Sequence, residues 1–237
     1  MSQEKTEGIV LRKVDFGDTS AVVTFLTPDR GRLACLAKGM RRKNSGLAAV
    51  LDTFNRVELV YYWKDGRGVQ NLAEASLLEA WPGLKRNVER LTHAAFLLEL
   101  CQRAVVENAP AEELYGALSA SLAALATEPG DARAWTACLA HRILCVLGHA
   151  PELGACADTG APPEAARWFS HEHGLAEKAG DRRLTPGEAL ALRVMADTDA
   201  PPERAEAGAV FEMMACFAAR QRESDFRSTR VLRQMFG

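Results

Sequence analysis

Hydrophobic and polar residues alternate through the first third of the chain with the period of two that β-strands show. Two turn segments, Pro28–Gly31 and Lys64–Gly68, interrupt this alternation with the Pro, Asp and Gly residues that tight turns favour. The pattern therefore predicts short strands separated by turns. These strands cover residues 8–14, 21–27, 32–38, 56–63 and 69–75.

Five short strands within roughly 80 residues are too few for two packed sheets with a large core. They suit a closed or partly closed barrel, and the OB-fold is the five-stranded form of such a barrel. An SH3-like barrel or an open meander would give the same pattern, so both stay open as alternatives. We expect an OB-fold.

From about Leu77 onward the hydrophobic period becomes that of α-helices. The longest apolar stripe predicts a central helix over residues 88–106, and Thr185-Pro-Gly-Glu188 has the spacing of a capping box. Residues 149–184 lose the helical period and gain Gly, Pro and His. Further helices are predicted to begin at Pro110, Asp131, Thr185 and Pro201, with a short one near Ser228.

This change of period divides the chain into two expected domains. Residues 1–78 form an OB-fold domain that binds nucleic acid, and residues 79–237 form an all-α domain with an irregular excursion over 149–184. The fold class is therefore α+β, with more than one domain. No apolar run approaches the roughly 20 residues that span a bilayer, and the start lacks a signal-peptide core, so we expect a cytoplasmic protein without membrane contact.

The net charge of −2 conceals a gradient along the chain. Residues up to Ser76 contain 12 Lys and Arg against 9 Asp and Glu, whereas the remainder contains 17 against 22. The basic residues concentrate between positions 30 and 43, where no acid intervenes. They are Arg30, Arg32, Lys38, Arg41, Arg42 and Lys43.

A basic loop beside barrel strands is typical of OB-folds that bind single strands, where cations meet phosphates and aromatic rings stack on bases. Phe54, Tyr61, Tyr62 and Trp63 are the candidate stacking residues, although alternation directs some of them inward. Charge alone does not distinguish this interface from an ordinary solvated loop.

The chain contains no recognisable catalytic motif. Phosphate-binding loops of the Walker type, Gly-x-Ser-x-Gly and His-Glu-x-x-His are all missing from the sequence. His171 and His173 could chelate a metal from one side of an extended strand, but a solvated loop is the interpretation that we favour. The six cysteines are scattered and never form Cys-x-x-Cys, which indicates reduced, mostly buried thiols. We therefore expect neither catalysis nor a cofactor.

Several segments resemble the RecO family of bacterial DNA repair and recombination mediators in order and spacing. In the first third these are Thr6–Arg12, Gly17–Thr19, Leu26–Leu33, Ala37–Lys43 and Leu51–Phe54. Further on, Leu147–Leu153 resembles the junction of that family's helical domain with its zinc loop, and Phe226–Leu232 resembles its C-terminal motif.

The resemblance implies an OB-fold followed by a helical domain, without catalytic activity. It also implies binding to single- and double-stranded DNA and annealing of complementary strands. With RecR, and with RecF as a further candidate partner, such a protein loads RecA onto DNA coated by single-strand-binding protein. The protein would then be nucleoid-associated.

The helical domain of this family contacts the acidic, hydrophobic C-terminal tail of the coat protein. Such a tail requires a local basic pocket, and Arg133 and Arg142 are the candidates, near apolar positions such as Leu139 and Val146. A protein–protein scaffold with an OB-like barrel and little DNA affinity remains the alternative function.

One departure from the family concerns zinc. Many members carry Cys-x-x-Cys twice, but this chain has Cys156-Ala-Asp-Thr159 and Ala176-Glu-Lys-Ala179. A structural zinc site needs four ligands, and one thiolate does not hold the ion. Recruiting His171, His173 or Asp158 would be unusual. We therefore expect a collapsed loop without metal.

Overall fold

A computed structural model describes residues 2–43, 45–221 and 225–236. The chain divides into two compact units, each packed mainly against itself. The β-rich unit contains residues 1–83 and 101–123, and the helical unit contains residues 84–100 and 124–237. The domain boundary expected between residues 78 and 79 remains a prediction.

The β-rich unit is built on a closed barrel with the strand order β1-β2-β3-β5-β4. Strand β3 pairs with β5 in parallel rather than with β4, and this excludes the open meander, in which consecutive strands pair antiparallel. The predicted five-stranded barrel is therefore confirmed, with the non-sequential strand order of an OB-fold. The elements are β1 (Ser2–Phe16), β2 (Ser20–Thr27), β3 (Gly31–Ala37), α1 (Leu47–Val50), β4 (Arg56–Trp63) and β5 (Gln70–Glu79).

Strand β1 is long enough to pair with two neighbours and so to close the barrel. Its first half pairs with β4 from Ser2 to Ile9, and its second half pairs with β2. A register shift between Val10 and Arg12 marks a bulge at the change of partner. Such a bulge bends a strand and lets it wrap around a barrel. Alternate residues of the strands fill the interior with fully buried side chains such as Phe25 and Leu59.

The turn between β2 and β3 is fixed by the segment of residues 106–111 in the same unit. Gly31 has a φ of +58°, and a Cβ at this position would lie 2.5 Å from the carbonyl oxygens of Val106 and Ala109. The Arg32 amide donates to the Val106 carbonyl at 3.1 Å. Only glycine satisfies both the backbone angle and the close approach.

The helical unit takes its core from large aromatic and aliphatic side chains. Phe96 packs edge-on against both Phe211 and Phe226, with ring centroids 5.6 and 5.1 Å apart. The capping box predicted at Thr185 is confirmed, since Thr185 Oγ1 accepts from the Glu188 amide and Glu188 accepts from the Thr185 amide. The helices of the chain beyond the barrel are α2 (Pro82–Lys85), α3 (Val88–Ala104), α4 (Glu112–Thr127), α5 (Ala132–Val146), α6 (Pro186–Thr198), α7 (Arg204–Gln221) and α8 (Arg227–Phe236).

The excursion over 149–184 is more ordered than the sequence indicated. It contains a three-stranded sheet with the order β7-β6-β8, so the expectation of an irregular, collapsed loop was wrong, whereas the expected helical region around it is confirmed. Strands of two or three residues are too short to show a period. They are β6 (Trp168–Ser170), β7 (Gly174–Ala176) and β8 (Arg182–Arg183). Within the described ranges, no helix has the length and apolar composition needed to cross a membrane.

Candidate nucleic-acid interface

The basic loop after β3 is held against the turn that joins β1 to β2. Gly39 has a φ of +68°, which turns the chain sharply out of the strand. The Arg41 amide then donates to the Thr19 carbonyl at 2.9 Å, and the Arg41 guanidinium lies 3.0 Å from the Asp15 carboxylate. These contacts fix the position of the loop on the barrel.

Three cations of this loop are available for a ligand. Lys38, Arg42 and Lys43 are exposed, and within the part of the chain that the structure describes they have no carboxylate partner. Arg41 keeps 45% of its side-chain surface exposed despite its ion pair. We name Lys38, Arg41, Arg42 and Lys43 the basic cluster. It presents a net positive charge at one end of β3.

Arg30 and Arg32 lie apart from the basic cluster, at the other end of β3. The seven residues of this strand separate the two groups by about 20 Å at a rise of about 3.3 Å per residue. Arg32 pairs with Glu107 at 2.9 Å. The stretch that is continuous in sequence therefore divides into two sites in space.

Arg30 lies in the turn between β2 and β3 and belongs to a network of charged and aromatic side chains. Its Nη2 donates to both oxygens of Glu4 at 3.0 and 3.1 Å, and its guanidinium lies over the Trp63 ring, 4.2 Å from the centroid. The Tyr61 hydroxyl donates to the same Glu4 carboxylate at 2.9 Å. Burial, together with this carboxylate, raises the pKa of Tyr61 well above its usual range. The charge of Arg30 is thus compensated within the protein.

The structure separates the aromatic candidates into inner and outer residues. Tyr61 and Phe54 are buried, and Trp63 is half-buried beneath Arg30. Tyr62 is 41% exposed and shares a shallow hollow with Lys38, Asn71 and Leu72. Of the four candidates, Tyr62 is therefore the one that offers an open ring to a ligand.

Phe16 is an aromatic residue that the sequence analysis missed. It ends β1 and is 59% exposed beside the turn to which the basic cluster is bound. Its signal in the sequence is its position next to Gly17-Asp18, because a large apolar side chain at a turn is seldom buried. An exposed ring beside cations has the composition of a single-strand interface.

The helical unit has a cleft lined by the cationic side chains of Arg90, Arg133 and Arg204 and by apolar Trp135 and Pro201. Arg90 donates to the carbonyls of Leu125 and Gly130, at 2.6 and 3.2 Å. Carbonyls are uncharged, so these bonds hold the side chain without cancelling its charge.

Asp131 is the principal acid of the cleft. It caps α5 by accepting from the Arg133 amide, and both its oxygens accept from the Arg133 guanidinium. Burial opposes ionisation of this carboxyl, but the contacts with Arg133 outweigh burial and lower the pKa of Asp131. The same carboxylate raises the pKa of Arg133. Arg133 is therefore held in a fixed position at the cleft.

The second arginine candidate, Arg142, does not line this cleft. It lies nine positions after Arg133 on α5, which is half a turn out of phase at 3.6 residues per turn. Its guanidinium pairs with Asp199 at 3.2 Å, next to the end of α6. The structure therefore does not bring the two candidates together.

His93 lies inside the helical unit and is 1% exposed. Neither ring nitrogen has a hydrogen-bond partner among the residues of the described ranges, and the ring packs edge-on against Phe211 at 5.0 Å. Burial lowers the pKa of His93 to about 4. The side chain is therefore neutral at physiological pH.

Hydrogen bonds join residues 156–159 to residues 176–179, the two segments where the sequence resemblance implies zinc ligands. The Asp158 carboxylate accepts from the amides of Glu177 and Lys178, each at 2.9 Å, and these bonds lower its pKa. The Ala157 amide donates to the Leu175 carbonyl at 2.8 Å. Searched over the described residues, His, Cys, Asp and Glu form no group of three or more able to hold a metal.

His171 and His173 occupy the turn between β6 and β7, which agrees with the favoured loop interpretation and not with the extended strand that metal chelation would need. His171 Nδ1 lies 4.0 Å from Asp181, and His173 Nε2 lies 3.8 Å from Glu172. The tight turn places each imidazole next to a different carboxylate.

Comparison with known proteins gives matches over most of the chain. The family model for the N-terminal part of recombination protein O matches residues 1–81, and that for its C-terminal part matches residues 85–228. DNA repair protein RecO of Heliobacterium modesticaldum is 34% identical over 163 residues, which are 68% of this chain and 58% of the relative.

Two further relatives have the same name. That of an Exiguobacterium species is 34% identical over 157 residues, covering 66% of this chain and 62% of the relative. That of Prosthecochloris aestuarii is 29% identical over 197 residues, covering 79% of this chain and 75% of the relative. The match therefore spans 58% and 62% of the length of the first two relatives.

Proposed function

Because this chain belongs to the RecO family, we propose that it is a DNA repair and recombination mediator that binds DNA and anneals complementary single strands. Together with RecR, it helps to load RecA onto strands coated by single-strand-binding protein. It acts by binding alone, without a catalytic step or a cofactor.

The observation that carries this proposal is the basic cluster. Lys38, Arg42 and Lys43 extend from the barrel into solvent without carboxylate partners among the described residues, and Arg41 stands beside them. Neutralising phosphates releases condensed counterions, and this drives binding without regard to sequence. A mediator must act on any sequence, and such a surface meets that requirement.

Annealing follows from the same electrostatics. Two complementary strands repel each other through their phosphates before base pairs form. A cluster of four cations on one barrel end lowers this repulsion and keeps both strands near the same surface. Base pairing then supplies the specificity, so the protein needs no base-edge readout of its own.

The partners of the mediator are RecR, and RecF as a further candidate, together with the C-terminal tail of the coat protein. The cleft of the helical unit favours the tail as its occupant. Arg90, whose guanidinium donates to uncharged carbonyls, suits an acidic group, and Arg133 and Arg204 together face one carboxylate, that of Asp131. Trp135 and Pro201 offer apolar surface to hydrophobic residues. An acidic and hydrophobic peptide requires both kinds of contact at once.

Strand annealing tests the main proposal. Complementary labelled strands coated with single-strand-binding protein are mixed with wild type or with the triple variant Arg41→Ala, Arg42→Ala, Lys43→Ala, each with and without RecR. We expect wild type to accelerate annealing and the triple variant to lose most of that acceleration. If wild-type protein neither binds nor anneals DNA, the scaffold alternative replaces the mediator.

Fluorescence anisotropy with a labelled tail peptide tests the cleft. Arg133→Ala should weaken binding, because its side chain lines the cleft, whereas Arg142→Ala serves as the matched control on the opposite side of α5. A loss of affinity in Arg142→Ala with none in Arg133→Ala would mean that the tail binds the surface beside Asp199 instead of the cleft. Equal affinities for wild type and both variants would mean that neither arginine of α5 contacts the tail.

A further inference from the structure

The strand registers align five residues in one row across the outer face of the barrel. Val14 pairs with Val22, Val22 with Leu36, Leu36 with Asn71, and Asn71 with Tyr62. Paired residues in a sheet project from the same face. Since the neighbouring residues Val23, Cys35 and Tyr61 fill the barrel interior, the row faces outward.

An exposed aromatic ring stands at each end of this row. Tyr62 is its last residue, and Phe16 follows Val14 by two positions and therefore projects from the same face of β1. The row crosses from β1 to β4 through four strand spacings, which is about 19 Å at about 4.8 Å per spacing. Between the two rings, the centre of the row is apolar at Val22 and Leu36.

Cations flank the row on both sides. Lys38 follows Leu36 by two residues, so it projects from the same face and reaches the hollow that contains Tyr62 and Asn71. Arg12 precedes Val14 by two residues on β1 and is exposed, without a carboxylate partner within the described ranges. The bonds of Arg41 to Asp15 and Thr19 hold the remaining cations of the basic cluster beside the Phe16 end of the row.

We infer that this row is the path of one DNA single strand, which stacks unpaired bases on Phe16 and Tyr62 and passes its phosphates along Arg12 and Lys38. The inference rests on the proposed DNA binding. It adds that the DNA on this surface is single-stranded and that Phe16 and Tyr62 stack on its bases. At a rise of about 3.4 Å per stacked nucleotide, the path holds about four to six nucleotides.

Duplex DNA does not satisfy this path, because its bases stack on one another and leave no free faces for the two rings. Asn71 completes the Tyr62 end. Its side chain has no hydrogen-bond partner in the described structure, so its amide is free to bond the edge of the stacked base. The basic cluster binds phosphates of either strand state, whereas the row requires single strands.

A comparison of base-bearing and abasic strands tests the inference. Anisotropy gives the Kd of wild type, Phe16→Ala, Tyr62→Ala and Tyr62→Phe for a ~20-nucleotide strand, an abasic strand of equal charge and a duplex. Each Ala variant should weaken binding to the base-bearing strand by about 5- to 100-fold, since stacking contributes that much per base. Binding to the abasic strand and the duplex should stay unchanged, and Tyr62→Phe should match wild type.

Leu190→Ala provides the control, since Leu190 is 55% exposed on α6 and belongs to neither surface. The inference is overturned if wild type binds the base-bearing strand while both Ala variants bind it equally well, and the proposed DNA binding then stands. Parallel losses on all three ligands would also overturn it, because they indicate a change in charge or folding rather than stacking. Failure of wild type to bind any DNA would overturn both proposals.

Discussion

The carboxylate of Asp15 lies 3.0 Å from the guanidinium of Arg41 and joins the turn after β1 to the basic cluster. Both side chains are largely exposed, so the ion pair contributes only about 0–1 kcal/mol to stability. Its effect on charge is larger, because it neutralises one of the four cations that face the ligand. Asp15 therefore limits the positive charge of the interface.

Replacing Asp15 with Asn should strengthen DNA binding. The freed Arg41 adds about one phosphate contact, so the slope of log affinity against log salt should steepen by about 0.7 for single strands. Asp18→Asn is the matched control, because Asp18 lies in the turn that follows Asp15 and has no ion pair among the described residues. Equal slopes for the two variants would mean that the ion pair does not restrain Arg41.

The salt dependence of wild type should reveal the size of the basic cluster. With Arg41 paired to Asp15, the three remaining cations give a slope near −2 for single strands, at about −0.7 each, and the triple variant Arg41→Ala, Arg42→Ala, Lys43→Ala should flatten it by about 1.4. A triple variant of Arg183, Arg227 and Arg230, all exposed in the helical unit, controls for lost charge. A slope unchanged by the first variant would locate the DNA surface elsewhere.

Glu4→Gln should destabilise the barrel by about 1–3 kcal/mol, because the carboxylate accepts from both Arg30 and Tyr61 in a partly buried site. Urea unfolding measures the change. Glu58→Gln is the control, since Glu58 pairs with the exposed Lys5, and its loss should cost at most about 1 kcal/mol. Equal losses would show that the Glu4 network adds no more than a surface ion pair.

His93 should make the stability of the protein depend on pH. Its pKa falls from 6.5 to about 4 on folding, so between these values the unfolded state binds a proton that the folded state does not. Stability therefore decreases as pH falls through this window, by about 3 kcal/mol in all. His93→Leu should remove this part of the pH dependence, as measured by urea unfolding from pH 7 to pH 4.

The same variant should not lose stability at pH 7, because it removes two buried nitrogens that lack partners among the described residues. His149→Leu is the control, since His149 is exposed. A pH profile for His93→Leu that coincides with that of wild type would assign the acid sensitivity to other groups.

Purified protein should contain no stoichiometric zinc, because Cys156 is the only thiol at positions 156, 159, 176 and 179, the four positions where the sequence resemblance implies zinc ligands. The variant Thr159→Cys, Ala176→Cys, Ala179→Cys supplies the other three and should bind about one equivalent. Elemental analysis measures both proteins. One equivalent in wild type would contradict the prediction.

The barrel could be predicted from sequence because its strands alternate clearly. The same alternation separates Tyr61 inside from Tyr62 outside, once the register is known. The bulge between Val10 and Arg12 was not visible, and it shifts the phase of β1 from that point on. For this reason the alternation did not give the outward position of Phe16, and the turn at Gly17-Asp18 beside it was the remaining signal in the sequence.

The candidate interface was predictable only in part. Consecutive cations at 41–43 share a loop, so their proximity follows from the sequence itself. Arg30 and Arg32 form ion pairs with Glu4 and Glu107, which are distant in the chain. No local sequence pattern predicts such pairs. The sheet of the excursion could not be predicted, because strands of two or three residues are too short to show a hydrophobic period.

The double pairing of β1 also orders events during synthesis on the ribosome. The hairpins of β1, β2 and β3 are local, so Asp15, Thr19 and Arg41 can meet soon after Arg41 emerges. Closure has to wait for β4 and β5, which pair with the opening half of β1 and with β3. The strand order thus allows the loop that carries the basic cluster to be anchored in the nascent chain before the interior of the barrel is sealed from water.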